Sequence, residues 1–401
     1  MVLSCSVAWC SSLWRTVKGD SHFEAGFATL PCPLYIPLAM RRARWIITPK
    51  PESTKPVIYH CISRVVNRDF VFGTVEKEQL RMFMRMYEGF SGNRVLAYCF
   101  MSNHIHLLLE VVPAPADGLS DEELLRRLRA INSEAQVAEV ARELAEARKA
   151  VADGLADESR VQAIHARFTY RMHDLSQFMK SFMQRYTQWH NGMHQRKGRL
   201  WEDRFKSVIV ESGIAARTMA AYIDLNPVRA GMVADPAGYR WSSYGEAVGG
   251  GAKGNGKKAR EGLVRACMSH EGAGFEAEKW QEVSRIYRRA MGLALGRKSG
   301  KTKVDKGKVQ PGLNTEEALA AKDNGTVLPD LGMAAMLLHR VRYFTDGAVI
   351  GSKAFVNEAF AAARERFGPR RKDGARKLRG GGAAAASVLW SARDLRVGVD
   401  G

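Results

Sequence analysis

Two histidines in the segment "MSNHIHLLLEV" have a type and spacing that could support chemistry. His104 and His106 lie two residues apart in an otherwise apolar stretch. Side chains two apart on a β-strand point to the same face of the sheet, so both imidazoles can reach one metal ion. Ile105 and Leu107 are expected to point to the other face, into the core. Two partly buried histidines bonded to the backbone would give the same pattern. The pair alone therefore leaves both a metal site and a structural role open.

Tyr222 and Asn226 form a second pair, in "AAYIDLNP". Both belong to a predicted helix over 215–226 that ends at Pro227, and a spacing of four places them on one helix face. A tyrosine can attack a phosphodiester and keep the bond energy in a phosphotyrosine, aided by a metal that Asn226 could help to hold. Alternatively, Tyr222 packs its ring against a sheet and Asn226 caps the helix.

The segment "RKGRLWEDRFKS" at 196–207 interleaves basic and aromatic residues. This composition suits a single strand of nucleic acid, because cations follow the backbone while rings accept bases. The two aromatic residues could equally be core anchors under a basic loop. The predicted nucleic-acid-binding residues are Arg196, Lys197, Arg199, Trp201, Arg204 and Lys206.

These residues need a sheet and a helix to position them. The patterns predict a strand at 57–65, a helix at 76–90 that stops at Ser91-Gly92-Asn93, and strands at 94–101 and 104–112. They also predict a helix at 173–194 and a strand at 200–212. Strand, helix, strand, strand is the opening of a ferredoxin-like fold. We therefore expect the α+β class, with an antiparallel sheet and packed helices.

The remaining segments suggest how the chain is divided. Met40 is followed by the basic run "RRARW", so the preceding residues read as a disordered extension or a misassigned start. The predicted divisions begin with that extension at 1–39 and a domain at 40–247 with a solvated helical insertion at about 115–170. Residues 248–312 are predicted to be two basic linkers, a flexible one at 248–260 and a second at 296–312, that flank a helical segment. Residues 313–369 are predicted to be mostly helical and could bind DNA as a helix-turn-helix-like module, and a flexible basic tail follows at 370–401.

The overall charge indicates a polyanionic partner. The 401 residues include 61 Lys and Arg against 42 Asp and Glu, a formal net charge of +19. The six cysteines contain no C-x-x-C pair, which argues against a zinc site or a disulfide framework and favours a reducing cytoplasm. No apolar run approaches the ~20 residues of a membrane helix, and the start lacks the basic region of a signal peptide.

Taken together, the motifs resemble a known family. The segments "MSNHIHLLLEV", "GRLWEDRFKSVIVE", "AAYIDLNPVRAG" and "YRWSSY" occur in this order within residues 40–247. They closely resemble the REP-associated tyrosine transposases, relatives of the insertion-sequence-200-like transposases in the HUH nuclease superfamily. The resemblance implies His104, His106 and Asn226 as metal ligands and Tyr222 as nucleophile. Tyr186, in "QRYTQWHN", is the main rival nucleophile.

The resemblance also implies a reaction. Mg²⁺ or Mn²⁺ would assist a transesterification in which the tyrosine forms a 5′-phosphotyrosine, releases a 3′-hydroxyl and is later displaced by another strand. The expected partner is single-stranded DNA with hairpin or palindromic ends. No membrane partner is expected, and a homodimer is consistent with the family. Two alternatives are a domesticated hairpin-processing nuclease and a catalytically inactive nucleic-acid-binding regulator. The long insertion and the region after residue 250 depart from the compact family pattern.

Overall fold

The structure is a computed structural model, and its described part lies within the unit Arg44–Gly401. The described residues are 44–47, 55–251, 254–268, 277–295, 337, 344–345, 348–367, 369, 371–377 and 389–392. The predictions for residues 1–39, and for the second basic linker at 296–312, lie outside this part of the chain. No helix among the described residues is long and apolar enough to cross a membrane.

Four antiparallel strands form the centre of the sheet, in the order β2-β3-β1-β4. They are β1 (Val57–Arg64), β2 (Arg94–Phe100), β3 (His104–Val111) and β4 (Lys206–Val210). Helix α1 (Thr74–Ser91) connects β1 to β2. This order is that of a ferredoxin-like fold, so the predicted fold class is confirmed.

Helix α1 stops where the sequence indicated, at Ser91-Gly92-Asn93. Gly92 has φ 73°, a left-handed conformation that favours glycine at a helix end. A Cβ atom at Gly92 would lie 2.5 Å from the guanidinium of Arg127. The turn that leads from α1 into β2 therefore depends on this glycine.

The insertion between β3 and β4 is helical, as predicted, and contains three helices before the long helix that precedes β4. These are α2 (Asp121–Leu128), α3 (Glu134–Ala152) and α4 (Ser159–Thr169), followed by α5 (Leu175–Met193). Ser120 caps α2 by accepting a hydrogen bond from the backbone of Glu123. Leu124 and Leu128 are buried in the core that α1 and α5 share.

The two faces of the sheet carry different chemistry. Ile105 and Leu107 of β3 point into the core beneath α1 and α5, as the alternation predicted. His104 and His106 therefore lie on the opposite face. That face is covered by α6 (Ile214–Asp224), α8 (Ser243–Gly249), α9 (Gly254–Cys267) and α10 (Ala277–Leu295). A short α7 (Asn226–Arg229) follows α6.

The segment predicted as a flexible linker at 248–260 largely forms the start of α9, so that prediction is wrong there. The glycines and lysines of this segment indicated a linker. However, small and apolar residues at helical spacing in α9 pack against the sheet. A Cβ atom on Gly262 would lie 2.4 Å from the carbonyl oxygen of Val95, so glycine allows α9 to approach β2 closely.

The described part of the C-terminal region contains helices, as expected, but its short strands also extend the sheet. Strand β5 (Val349–Gly351) pairs in parallel with β4, and β7 (Trp390–Ala392) and β6 (Arg376–Lys377) follow. The seven strands that the structure describes have the order β2-β3-β1-β4-β5-β7-β6. Helix α11 (Lys353–Ala362) comes directly after β5. The first helix of the predicted helix-turn-helix-like module lies almost entirely outside the described residues, and the segment before its second helix contains β5. The predicted flexible tail includes β6 and β7.

Candidate active site

The two predicted metal ligands lie together at one end of the sheet. The rings of His104 and His106 have centroids 5.1 Å apart. Asn103 Nδ2 donates to the carbonyl oxygen of Arg68 at 2.9 Å, which turns its Oδ1 toward His104 Nδ1 at 2.6 Å. This network assigns the proton of His104 to Nδ1 and leaves Nε2 as the nitrogen that could coordinate a metal.

A third histidine, which the sequence analysis did not single out, supports His106. His60 on β1 places Nε2 2.9 Å from His106 Nδ1, and its own Nδ1 lies 2.7 Å from the carbonyl oxygen of Phe344. Burial lowers the pKa of His60 to about 4. Burial, followed by the neighbouring His104, holds the pKa of His106 well below its usual range. Both rings are therefore neutral at pH 7.

The sequence contained a signal for this third histidine. His60 shares a strand face with Ile58 and Ile62, two positions away on either side in β1. Ile62 is the direct neighbour of His106 across the strand pair, so His60 is a diagonal neighbour of His106. An imidazole on an apolar face of a central strand needs a polar partner, and His106 supplies it.

Tyr222 lies above these histidines on α6. Nine of the 11 residues of α6 are buried, and most of these nine are apolar. The ring of Tyr222 is 6.3 Å from that of His60 and 6.4 Å from that of His106, and the residue is only 1% exposed. Phe344 covers it, with ring centroids 4.6 Å apart.

Arg229 is a second residue that the sequence analysis did not assign. Its Cζ lies 4.1 Å from the centre of the Tyr222 ring, and it donates 2.6 Å hydrogen bonds to the carbonyl oxygens of Tyr222 and Leu337. The guanidinium thus ties the end of α6 to the C-terminal region. It also brings a permanent positive charge to the site, which suits a phosphate.

Asn226 follows the end of α6. Its Nδ2 donates to the carbonyl oxygens of Ile223 at 3.1 Å and of Tyr222 at 3.4 Å. Asn226 therefore caps α6, which was one of its two proposed roles. The amide oxygen is the group of this side chain that could also bind a metal.

Asp224 anchors α6 from its far side. Its carboxylate accepts hydrogen bonds from Tyr287 Oη at 2.7 Å, Ser243 Oγ at 2.8 Å and the backbone of Tyr244 at 3.0 Å. Burial raises the pKa of Asp224 to about 6, although these donors partly oppose the rise. Asp224 lies two residues after Tyr222, and its contacts connect this end of α6 to α8 and α10.

The rival tyrosine lies elsewhere. Tyr186 on α5 belongs to the core on the opposite face of the sheet, where it contacts Phe72 and Trp201. It is fully buried, and burial raises the pKa of its hydroxyl above the usual range. The geometry therefore groups Tyr222, and not Tyr186, with the histidines.

The basic segment at 196–207 lies at the histidine end of the sheet. The backbone nitrogen of Glu202 donates to the carbonyl oxygen of Arg64, and Arg64 is the β1 partner of His104. Trp201 packs against Tyr186 and donates to Thr187 Oγ1 at 3.0 Å, so its ring is a core anchor. The predicted cations are mostly exposed; these are Lys197, Arg199, Arg204 and Lys206, with Arg196 half-buried.

The donor set fits a metal with nitrogen and oxygen ligands. Within the described residues, no group of three or more His, Cys, Asp or Glu side chains could hold an ion. A metal bound by His104 and His106 would have an amide oxygen as its third protein ligand, and the predicted residue is Asn226. The protonated Nδ1 atoms already have partners, which is the usual arrangement around metal-binding imidazoles.

The motif resemblance to the single-tyrosine HUH nucleases implied a ferredoxin-like sheet with paired histidines beside a tyrosine on a helix. The structure has this arrangement. Residues 53–116, which include both histidines, match the family model described as "Transposase IS200 like". The resemblance seen in the motifs is thus confirmed for this segment. Among curated proteins no match was found.

One solved structure is also similar to the chain. It is described as the structure of the REP-associated tyrosine transposase bound to a REP hairpin. The match has 14% sequence identity and a TM-score of 0.30, and it covers 53% of this chain and 88% of that chain. A TM-score of this size does not by itself establish a common fold.

Proposed function

We propose that this protein is a DNA transposase that nicks and joins single-stranded DNA through a phosphotyrosine. The observation that carries the proposal is the approach of Tyr222 on α6 to His106 on β3, with ring centroids 6.4 Å apart. The family match over residues 53–116 supports the same activity. The charge of +19 and the exposed basic segment support DNA as the substrate. The scattered cysteines, with no C-x-x-C pair, favour the cytoplasm as the protein's location.

In this mechanism, His104 and His106 would hold Mg²⁺ or Mn²⁺ through Nε2, and Asn226 would contribute its amide oxygen. When bound, the metal polarises the scissile phosphate and stabilises the developing charge. Tyr222 Oη attacks phosphorus and becomes the 5′-phosphotyrosine, while the bond to the 3′-oxygen breaks. The proton lost by the phenol balances the one that the leaving oxygen takes up to become a 3′-hydroxyl. A 3′-hydroxyl of a second strand then attacks the phosphotyrosine and releases Tyr222. One phosphodiester replaces another, so no external energy source is required.

The other residues of the site have supporting roles. Arg229 holds the backbone of Tyr222 and adds positive charge beside the phosphate. The exposed cations of the segment 196–207 bind the DNA backbone at the histidine end of the sheet. Because Tyr222 is covered by Phe344, the Phe344 ring must turn aside when DNA enters.

A second candidate function is a nucleic-acid-binding regulator that does not cleave. The observation that favours it is the burial of Tyr222, which is 1% exposed beneath Phe344. A domesticated nuclease that processes hairpins would use the same site as the transposase. It would differ in lacking efficient strand transfer.

The decisive experiment is nicking of a library of single-stranded hairpin oligonucleotides, labelled at either end, with Mn²⁺ or with a chelator. We expect metal-dependent cleavage and a covalent protein–DNA adduct. His104→Ala and His106→Ala should abolish cleavage and retain most DNA binding, because the basic contacts to phosphates persist. His165→Ala, in the insertion, is the matched control and should cleave normally. Cleavage by the double variant His104→Ala/His106→Ala without metal would contradict the proposal, and binding without any adduct would favour the regulator.

A further inference from the structure

We propose that His60 is a positioning residue that fixes the ring and the tautomer of His106, and that the backbone carbonyl of Phe344 fixes His60 in turn. This inference rests on the proposed function, in which His106 binds a metal. His60 itself would not touch the metal or the DNA. Its role would be to keep His106 Nε2 available and correctly directed.

The direction of each hydrogen bond follows from the last acceptor in the chain. The carbonyl oxygen of Phe344 can only accept, so His60 Nδ1 must carry the proton of the 2.7 Å bond. A neutral His60 then has a lone pair on Nε2, which accepts from His106 Nδ1 across 2.9 Å. The proton of a neutral His106 is thereby held on Nδ1. Its Nε2 retains the lone pair that a metal requires.

Packing keeps this chain of bonds in place. His60 is fully buried and His106 is 3% exposed. Their rings are nearly parallel, at 14°, with centroids 5.2 Å apart. Both side chains project from neighbouring strands of the sheet, whose backbone pairing fixes their separation. Without His60, the buried Nδ1–H of His106 would lose its acceptor, and the ring could flip or change tautomer.

The two proposed ligands are thus supported in different ways. His104 is partly exposed and is held by Asn103, a neighbour in sequence whose other bond goes to the loop after β1. His106 is held by His60, whose own partner lies 284 residues away. The geometry of one ligand therefore depends on the C-terminal region, and that of the other does not.

The first test uses the unaltered protein. Nuclear magnetic resonance of metal-free protein labelled with ¹⁵N-histidine distinguishes protonated from unprotonated ring nitrogens, and His106→Gln and His60→Gln assign the signals. We expect a protonated Nδ1 and an unprotonated Nε2 in both His60 and His106. A protonated Nε2 on His106 would overturn the proposal. Because this measurement needs no metal or DNA, it does not depend on activity.

The second test compares Mn²⁺ affinity, measured by electron paramagnetic resonance, with thermal stability. His60→Leu removes the acceptor and should weaken Mn²⁺ binding by about 10- to 100-fold. His60→Gln can still accept through Oε1 and should recover part of this loss. If both variants only lower the melting temperature and bind Mn²⁺ like the wild type, His60 is merely structural.

The same titration separates this inference from the proposed function. If the wild type binds Mn²⁺ no better than the double variant His104→Ala/His106→Ala, the metal site itself is absent and the proposed function fails. If the wild type binds and the double variant does not, while His60→Leu keeps wild-type affinity, only the positioning role fails.

Discussion

Phe344 packs its ring against that of Tyr222, with centroids 4.6 Å apart, and its carbonyl oxygen is bonded to His60. A residue from the C-terminal region therefore contacts both the proposed nucleophile and His60, which is hydrogen-bonded to the proposed metal ligand His106. Leu337 is also buried here and accepts a hydrogen bond from Arg229. The region after residue 250 is thus part of the core around the site.

Truncation provides a direct test of this continuity. We expect a chain ending at residue 250 to be insoluble or unfolded, because the outer surface of α6 and the edge of β4 would lose α9, α10 and β5. The matched control is a chain ending at residue 395, which keeps β7 and should fold. Soluble yield and cooperative thermal unfolding by circular dichroism are the measurements. A soluble, cooperatively folded 250-residue fragment that cleaves DNA would show that the later helices are dispensable.

The nucleophile can be tested with the smallest possible change. Tyr222→Phe should eliminate both nicking and the covalent adduct, because only the hydroxyl is removed and the ring remains to pack against Phe344. A purely structural Tyr222 would lose at most a hydrogen bond, on the order of 1 kcal/mol. The adduct is detected on a denaturing gel and located by peptide mass mapping.

Tyr186→Phe is the matched control for that experiment. Among the described residues, no hydrogen-bond partner is present for the buried Tyr186 Oη. Its removal should therefore change stability little and leave the adduct intact. DNA attached at Tyr186, or an adduct that survives in Tyr222→Phe, would show that the assignment of the nucleophile is wrong.

The basic segment can be tested by the salt dependence of DNA binding. Lys197→Gln combined with Arg199→Gln should weaken binding of single-stranded DNA and lower the slope of log K against log salt by about 1.4, if each residue neutralises one phosphate. Lys149→Gln combined with Arg160→Gln removes the same charge from exposed positions of the insertion and is the control. An equal change of slope in both pairs would mean that net charge, and not this segment, determines binding.

The raised pKa of Asp224 predicts a pH dependence of stability. The folded-state pKa, about 6, exceeds the ordinary value of 3.8. The stability that this group contributes is therefore fully present below about pH 4 and is lost as the pH rises to about 6. The effect is worth up to about 3 kcal/mol, since each pKa unit corresponds to ~1.4 kcal/mol.

Asp224→Asn isolates this effect, because an amide does not ionise and its oxygen can still accept from Ser243 and Tyr244. The free energy of urea unfolding, measured from pH 4 to pH 8, should rise for the variant relative to the wild type up to about pH 6 and then stay constant. A difference that does not vary with pH would show that Asp224 titrates alike in both states.

The predictable parts of this protein are those with strong local patterns. Alternation in β3 predicted that His104 and His106 share a face and that Ile105 faces the core. The glycine after Ser91 predicted the end of α1. Such features depend on neighbours in sequence, which a single chain displays directly.

The features that were missed depend on distant partners. His60 gains its significance from His106 and from Phe344, and no local pattern relates these three residues. Strand β5 is three residues long, and its partners are β4 and β7. The segment containing α9 is rich in glycine and lysine, which suggested a linker, yet Gly262 is what permits its contact with β2. In each case tertiary packing outweighed local propensity.

The contact between the C-terminal region and α6 also affects how the protein is made. Synthesis proceeds from the amino terminus, so β1, β3 and α6 leave the ribosome well before Phe344 and β5. Until then, the apolar outer surface of α6 lacks its cover, and the parallel edge of β4 lacks its partner. Such long-range pairings form slowly, and the exposed intermediates are prone to aggregate. A nascent chain thus possesses both proposed metal-binding histidines and the tyrosine before it possesses the carbonyl group that fixes His60 and, through it, His106.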